Sequence, residues 1–166
     1  GGHIYDLSVK GNIDGNDRVG LLAGSMSNGA VVDSCSVEGN VKGNQYAGGM
    51  IGELQDKSQL LYCSHIGTVE VQNQYGGGLI GCISEADDCN PIIKGCYNAG
   101  PIYGSNNYSN NTRGAIIGNF DGNFDDAVFE NNYYDYENLG DLRYNNAIVN
   151  KGVGVEFYGL TTEEMT

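Results

Sequence analysis

Proline is almost missing from this chain, 2 residues in 166 beside 27 glycines, which excludes both a collagen-like helix and a proline-rich linker. Long stretches of strong helix formers are missing too. Only Thr161-Thr162-Glu163-Glu164-Met165 reads as a helix start, with Thr161 or Thr162 as its cap. The longest apolar runs are about four residues, far short of the ~20 that a membrane-spanning helix needs. Cations are scarce: 8 Lys and Arg stand beside 21 Asp and Glu, giving a net charge of −13 that repels phosphate backbones and makes nucleic acid a poor partner. No Cys-x-x-Cys spacing supports a zinc site, and no His-Glu-x-x-His, Gly-x-Ser-x-Gly or phosphate loop is present. No signal peptide is visible. Gly1-Gly2 lead straight into the pattern described next, which reads as a piece excised from a longer chain.

What is present is a repeat. Ile4, Leu7, Gly11, Ile13, Gly20, Leu22 and Gly24 return as Val32, Cys35, Gly39, Val41, Gly48, Met50 and Gly52. They return again as Leu60, Cys63, Gly67, Val69, Gly77, Leu79 and Gly81, and then as Ile93, Cys96, Gly100, Ile102, Gly114, Ile116 and Gly118. A fifth copy begins at Phe129 and Asn132 and then loses the pattern. The anchor column Leu7, Cys35, Cys63, Cys96, Asn132 steps by 28, 28, 33 and 36 residues, a period that means a stacked-repeat architecture. The apolar residues are mostly Val, Ile, Leu and Tyr between Gly and Asn, which favours strands and turns. Each repeat holds three strand-like stretches, in the second copy about 30–36, 37–42 and 46–52.

The expected fold is therefore all-β: a right-handed parallel β-helix or solenoid with ~28-residue repeats over residues 3–130, closed by a C-terminal capping, non-repeating segment over 131–166. Stacking places Ile4, Val32, Leu60, Ile93 and Phe129 in one internal ladder and Ile13, Val41, Val69 and Ile102 in another. The columns Gly11, Gly39, Gly67 and Gly100 are expected to supply positive φ at corners. Adjacent apolar pairs (Met50-Ile51, Leu79-Ile80, Ile116-Ile117) break the in–out alternation of a strand, so either a bulge intervenes or one face packs outside.

The strings Tyr46-Ala47-Gly48-Gly49-Met50-Ile51-Gly52 and Tyr75-Gly76-Gly77-Gly78-Leu79-Ile80-Gly81 resemble the GLUG motif, as do the segments Cys35–Val41 and Cys96–Ile102. The resemblance covers residues 4–118. It implies an exported bacterial repeat region, adhesive or structural, of the kind found beside IgA-cleaving metallopeptidases, and it implies no chemistry. The tail from Asn132-Tyr133-Tyr134-Asp135 to Gly159–Met165 is similar to the way such arrays close. The first copy departs from the motif by lacking Cys, and the fourth by Arg113-Gly114-Ala115 in place of a Gly pair.

Cys35, Cys63 and Cys96 share one column and are expected as free buried thiols. Cys82 and Cys89 flank an insertion, where a disulfide staple and two free thiols both fit. The longer periods put extra residues at 84–90 and 119–126, on the same edge and one turn apart. With repeat two they assemble a candidate acidic binding edge of Glu53, Asp56, Glu85, Asp87, Asp88 and Asp126. Asn119, Asp121, Asn123 and Asp125 alternate oxygen donors around Gly122. The candidate metal ligands are thus Asp121, Asn123 and Asp125, with calcium as the ion, although the Gly is misplaced for an EF-hand and a solvated Asx-rich turn is the plainer reading. No other cofactor is expected.

A further insertion at 105–112 is Asn- and Ser-rich beside Tyr103 and Tyr108. Exposed Tyr with Asn neighbours suits sugar rings or a protein partner, while Tyr in strand ladders is the blander role. His65 falls at the position of Val37 and Asn98, a structural slot. The expected function is a non-catalytic extracellular bacterial module, an adhesive or structural spacer at the cell surface that meets a host or cell-surface protein or glycan. The alternative is a carbohydrate-binding or carbohydrate-cleaving β-helix.

Overall fold

A computed structural model describes residues 1–84, 90–105, 112–121, 127–141 and 155–166. Short stretches of β-branched and aliphatic residues punctuated by Gly and Asn form short strands, copy by copy. The first copy supplies β1 (His3–Tyr5), β2 (Ser8–Lys10), β3 (Ile13–Gly15) and β4 (Ala23–Met26). The second supplies β5 (Val31–Asp33), β6 (Ser36–Glu38), β7 (Val41–Gly43), β8 (Ala47–Gly48) and β9 (Ile51–Leu54). The third supplies β10 (Gln59–Leu61), β11 (Ser64–Ile66), β12 (Val69–Val71), β13 (Gly76–Gly77) and β14 (Ile80–Ile83). The fourth supplies β15 (Ile92–Lys94), β16 (Tyr97–Asn98), β17 (Ile102–Gly104), β18 (Arg113–Gly114) and β19 (Ile117–Phe120), and β20 (Val128–Asp135) and β21 (Val155–Leu160) follow.

The protein is all-β, with parallel strands in stacked sheets. One sheet runs β1-β5-β10-β15-β20-β16-β11-β6-β2, with β21 added on β20; the others run β17-β12-β7-β3, β18-β13-β8 and β19-β14-β9-β4. The registers carry the expected columns. Ile4 pairs with Val32, Val32 with Leu60, Leu60 with Ile93 and Ile93 with Phe129. Ile13, Val41, Val69 and Ile102 pair in the same way. Val32, Leu60, Ile93 and Phe129 are all buried, and each is worth roughly 1.5–3 kcal/mol of apolar burial.

The adjacent apolar pairs both point inward. Met50 and Ile51, Leu79 and Ile80, and Ile116 and Ile117 all lie in one apolar cluster. Backbone geometry makes this possible. The N–H groups of Met50 and Ile51 both donate to Leu79 O at 3.0 Å, and those of Leu79 and Ile80 both donate to Ile116 O at 3.0 Å. Two successive donors on one carbonyl form a bulged corner that cancels the alternation.

The glycine column behaves differently from expectation. Gly39 and Gly67 do have positive φ, 149° and 148°, but Gly11 and Gly100 do not. Close approach is the wider constraint: a Cβ at Gly39 would sit 1.5 Å from Gly11 O, one at Gly67 2.0 Å from Gly39 O, and one at Gly100 1.7 Å from Gly67 O. Positive φ falls instead on a column unmarked by residue type. Asp6, Ser34, Tyr62, Gly95 and Asn131 all adopt φ between 52° and 65°, each just before the anchor column.

Candidate functional site

That left-handed corner explains the cysteines. It turns the anchor residue's N–H inward, where it needs an acceptor. Cys35 N–H reaches Cys63 Sγ at 3.4 Å, Cys63 N–H reaches Cys96 Sγ at 3.4 Å, and Cys96 N–H reaches Asn132 Oδ1 at 3.1 Å. Each thiol donates back to the carbonyl two residues earlier: Cys35 to Asp33 O at 3.2 Å, Cys63 to Leu61 O at 3.0 Å and Cys96 to Lys94 O at 3.3 Å. Asn132 ends the column with an amide that accepts in the same way but donates through Nδ2 to Ile93 O of the preceding copy at 2.8 Å, the counterpart of the Leu60 O that Cys96 Sγ also reaches at 3.3 Å. All three thiols are free and buried. Hydrogen bonding from Cys96 and burial push the Cys63 thiol far up, and burial raises that of Cys35, so neither is poised as a nucleophile.

His65 sits on the column Val9, Val37, His65, Asn98, Tyr134 and is fully buried. Its two ring nitrogens face acceptors, Asn98 Oδ1 at 2.9 Å and Gly39 O at 3.0 Å. Burial outweighs these acceptors and holds the imidazole below its ordinary range. The ring and Asn98 occupy space left by glycine: a Cβ at Gly49 would fall 2.3 Å from His65 Nδ1, and one at Gly78 2.3 Å from Asn98 Nδ2. The second Gly of each GLUG-like pair thus makes room for a polar side chain of the following copy. In the first and last copies Leu21 and Tyr134, from the same two columns, pack against both apolar clusters.

The acidic residues expected at one edge are not all displayed. Glu53 is only 4 % exposed. It is held by Arg18 Nε at 2.6 Å and accepts from Ser84 Oγ at 2.5 Å, beside the buried Cys82. Its place on an acidic edge is corrected by this pairing, since Arg18 comes from the preceding copy and turns the carboxylate in. Asp56 closes a turn, with φ of 56°, and accepts from Asn28 N–H at 2.7 Å. Glu85, Asp87, Asp88 and Asp126 lie outside the described residues. Of the calcium ligands, Asp121 is exposed and its N–H donates to Ile83 O at 2.8 Å, whereas Asn123 and Asp125 lie outside the described residues. Cys82 is a free thiol whose pKa burial pushes up to about 12, and Cys89 lies outside the described residues.

Two features lie outside the site residues expected from the sequence. Arg18 stands over the Tyr46 ring, 5.6 Å from its centroid, and Tyr46 stacks on Tyr75 at 5.5 Å. Arg113, which breaks the Gly pattern, is 3 % exposed. It bonds Asp141 Oδ2 at 2.5 Å and Gly104 O at 3.2 Å.

The outward face of β3, β7, β12 and β17 shows one side chain per copy: Asp14, Lys42, Glu70 and Tyr103. Lys42 Nζ and Glu70 Oε1 are 3.5 Å apart. Asn ladders border the face. On one side Asn40 N–H donates to Asn12 Oδ1 and Thr68 N–H to Asn40 Oδ1, both at 2.9 Å; on the other Asn44 Nδ2 donates to Asn16 Oδ1 at 3.1 Å, and Asn73 Nδ2 donates to Asn44 Oδ1. Two open grooves follow this face and share Glu70. One, of about 470 Å³, includes Asn12, Lys42 and Thr68; the other, of about 520 Å³, is lined by Glu70, Gln72, Asn73, Tyr103 and Ser105. No helix among the described residues is long and apolar enough to cross a membrane. No protein-family model, no curated protein and no solved structure matches the chain.

Proposed function

We propose that the chain is a right-handed parallel β-solenoid of GLUG-like repeats, over about residues 3–130 with a closing segment after it, and that it serves as a non-catalytic extracellular bacterial module. It acts as an adhesive or spacer element that meets a host or cell-surface protein or glycan. One observation carries this reading: the GLUG-like strings lie in register, Gly48 on Gly77 and Gly77 on Gly114, so the motif is the repeating corner of the stack. Right-handedness follows from the usual sense of parallel crossovers. The groups best suited to catalysis are in structural use: His65 between two acceptors, Glu53 on Arg18, and Arg113 on Asp141. Extracellular placement comes from the resemblance alone.

The test is a paired screen of the purified chain. Adhesion to cell- or matrix-coated surfaces without turnover on a panel of polysaccharide lyase and hydrolase substrates supports the reading. Measurable turnover replaces it with the carbohydrate-cleaving alternative.

A further inference from the structure

We infer that the groove over β12 and β17 is a saccharide subsite, in which a neutral sugar ring stacks on Tyr103 and its hydroxyls are hydrogen-bonded by Glu70, Gln72, Asn73 and Ser105. This rests on the reading of the chain as a surface-binding module and names the class of ligand.

The argument starts with Tyr103. It is 44 % exposed, on the outward side of a strand whose neighbours in the stack present Asp14, Lys42 and Glu70. An aromatic ring left open among polar groups offers an apolar platform with hydrogen-bonding partners around its edge, which matches the two kinds of surface on a pyranose: C–H faces and hydroxyl rims. The groove of about 520 Å³ lies within the ~300–1,000 Å³ span of small-ligand sites, and it is open, as a chain-like ligand passing through requires.

Charge narrows the class. Glu70 lies 3.5 Å from Lys42, so the floor carries a compensated pair rather than an isolated charge. The protein as a whole carries −13, which disfavours anionic polymers. A neutral oligosaccharide fits both facts. The face continues into the second groove through the shared Glu70, so the sites run along the stacking direction and suit a chain of several sugar units.

The experiment titrates the intact chain with neutral hexasaccharides, β-1,4-glucan, β-1,4-xylan and α-1,4-glucan among them, by calorimetry and by chemical-shift perturbation. At least one is expected to bind, with Tyr103→Ala weakening it about tenfold or more, Glu70→Gln weakening it less, and Tyr136→Ala, equally exposed elsewhere, leaving it unchanged. Because Tyr103 is exposed, its variant is expected to melt with the parent chain, and equal melting is checked first. No binding of any neutral hexasaccharide at ~10 mM, or binding indifferent to Tyr103→Ala, overturns the subsite. Should surface adhesion persist in the parent and in Tyr103→Ala while no sugar binds, the subsite falls and the surface-module reading stands.

Discussion

The anchor column is where single residues are most informative. Cys63 accepts the Cys35 N–H and faces the carbonyls of Leu61 and Val32, and Asn132 accepts the Cys96 N–H and donates to Ile93 O, the counterpart of Val32 O. Replacing Cys63 by Ala leaves the inward N–H of Cys35 without its acceptor, a loss of about 1–3 kcal/mol by denaturant melting. Cys63→Asn is expected to recover most of it, and equal loss in both variants would sink the ladder account. His65 gives a second prediction. The unfolded chain binds a proton near the ordinary 6.5, whereas burial lowers the folded value. Stability is therefore complete above about 6.5 and falls as pH drops from there through the folded pKa. His65→Asn, copying Asn98, is expected to flatten that part of the stability–pH curve; an unchanged slope in the variant would assign the acid sensitivity elsewhere. The structural slot of His65 was legible because repeats align it with Val37 and Asn98. The left-handed corner was not, because Asp6, Ser34, Tyr62, Gly95 and Asn131 share a backbone requirement and no side-chain chemistry. Glu53 was misplaced for a related reason: its partner Arg18 lies 35 residues earlier, in a column whose register sequence alone does not supply.

Among elements, the glycine columns set how tightly strands and corners meet. Gly39→Ala drives a methyl into Gly11 O and also strains a φ of 149°, so it should cost several kcal/mol, more than the ~1 kcal/mol typical of a substitution. Gly29→Ala, with positive φ but open space around it, should cost only about 1 kcal/mol. Thermal melts of the two variants separate collision from backbone strain; similar shifts would mean that crowding at Gly39 is relieved. The strand columns were legible from period and polarity. The inward pointing of both Met50 and Ile51 was not, since it depends on two N–H groups sharing Leu79 O, a feature of the neighbouring copy. At the other end of the chain the capping signal was legible, although a single hydrogen-bonded turn forms there and no helix follows. Thr161 Oγ1 accepts from Glu164 N–H at 3.1 Å while Glu164 Oε2 accepts from Thr161 N–H at 2.8 Å, and these reciprocal bonds form a capping box over one turn.

Among the described residues the successive copies pair strand by strand in register, and the proposed stacking of repeats makes the response to deletion specific. Val31 pairs with His3 and with Gln59, so removing residues 31–58 joins the first copy to the third in register. Ile4 then faces Leu60, Leu7 faces Cys63 and Ile13 faces Val69, contacts of the kind already present. What is lost is one layer of burial together with the Lys10–Glu38, Arg18–Glu53 and Lys42–Glu70 pairs, the exposed ones among which contribute little. In a stacked repeat stability is close to a sum of layer and interface terms, so the shortened chain should keep its β-type circular dichroism and melt cooperatively at a lower temperature. Removing 31–44 instead deletes half a layer, placing the Gly-rich corner of one copy against the first strand of another and abolishing every column at once. That variant should fail to fold. If both deletions proved equally destructive, the copies would not be interchangeable layers, and the stacked architecture would owe its stability to contacts peculiar to the second copy.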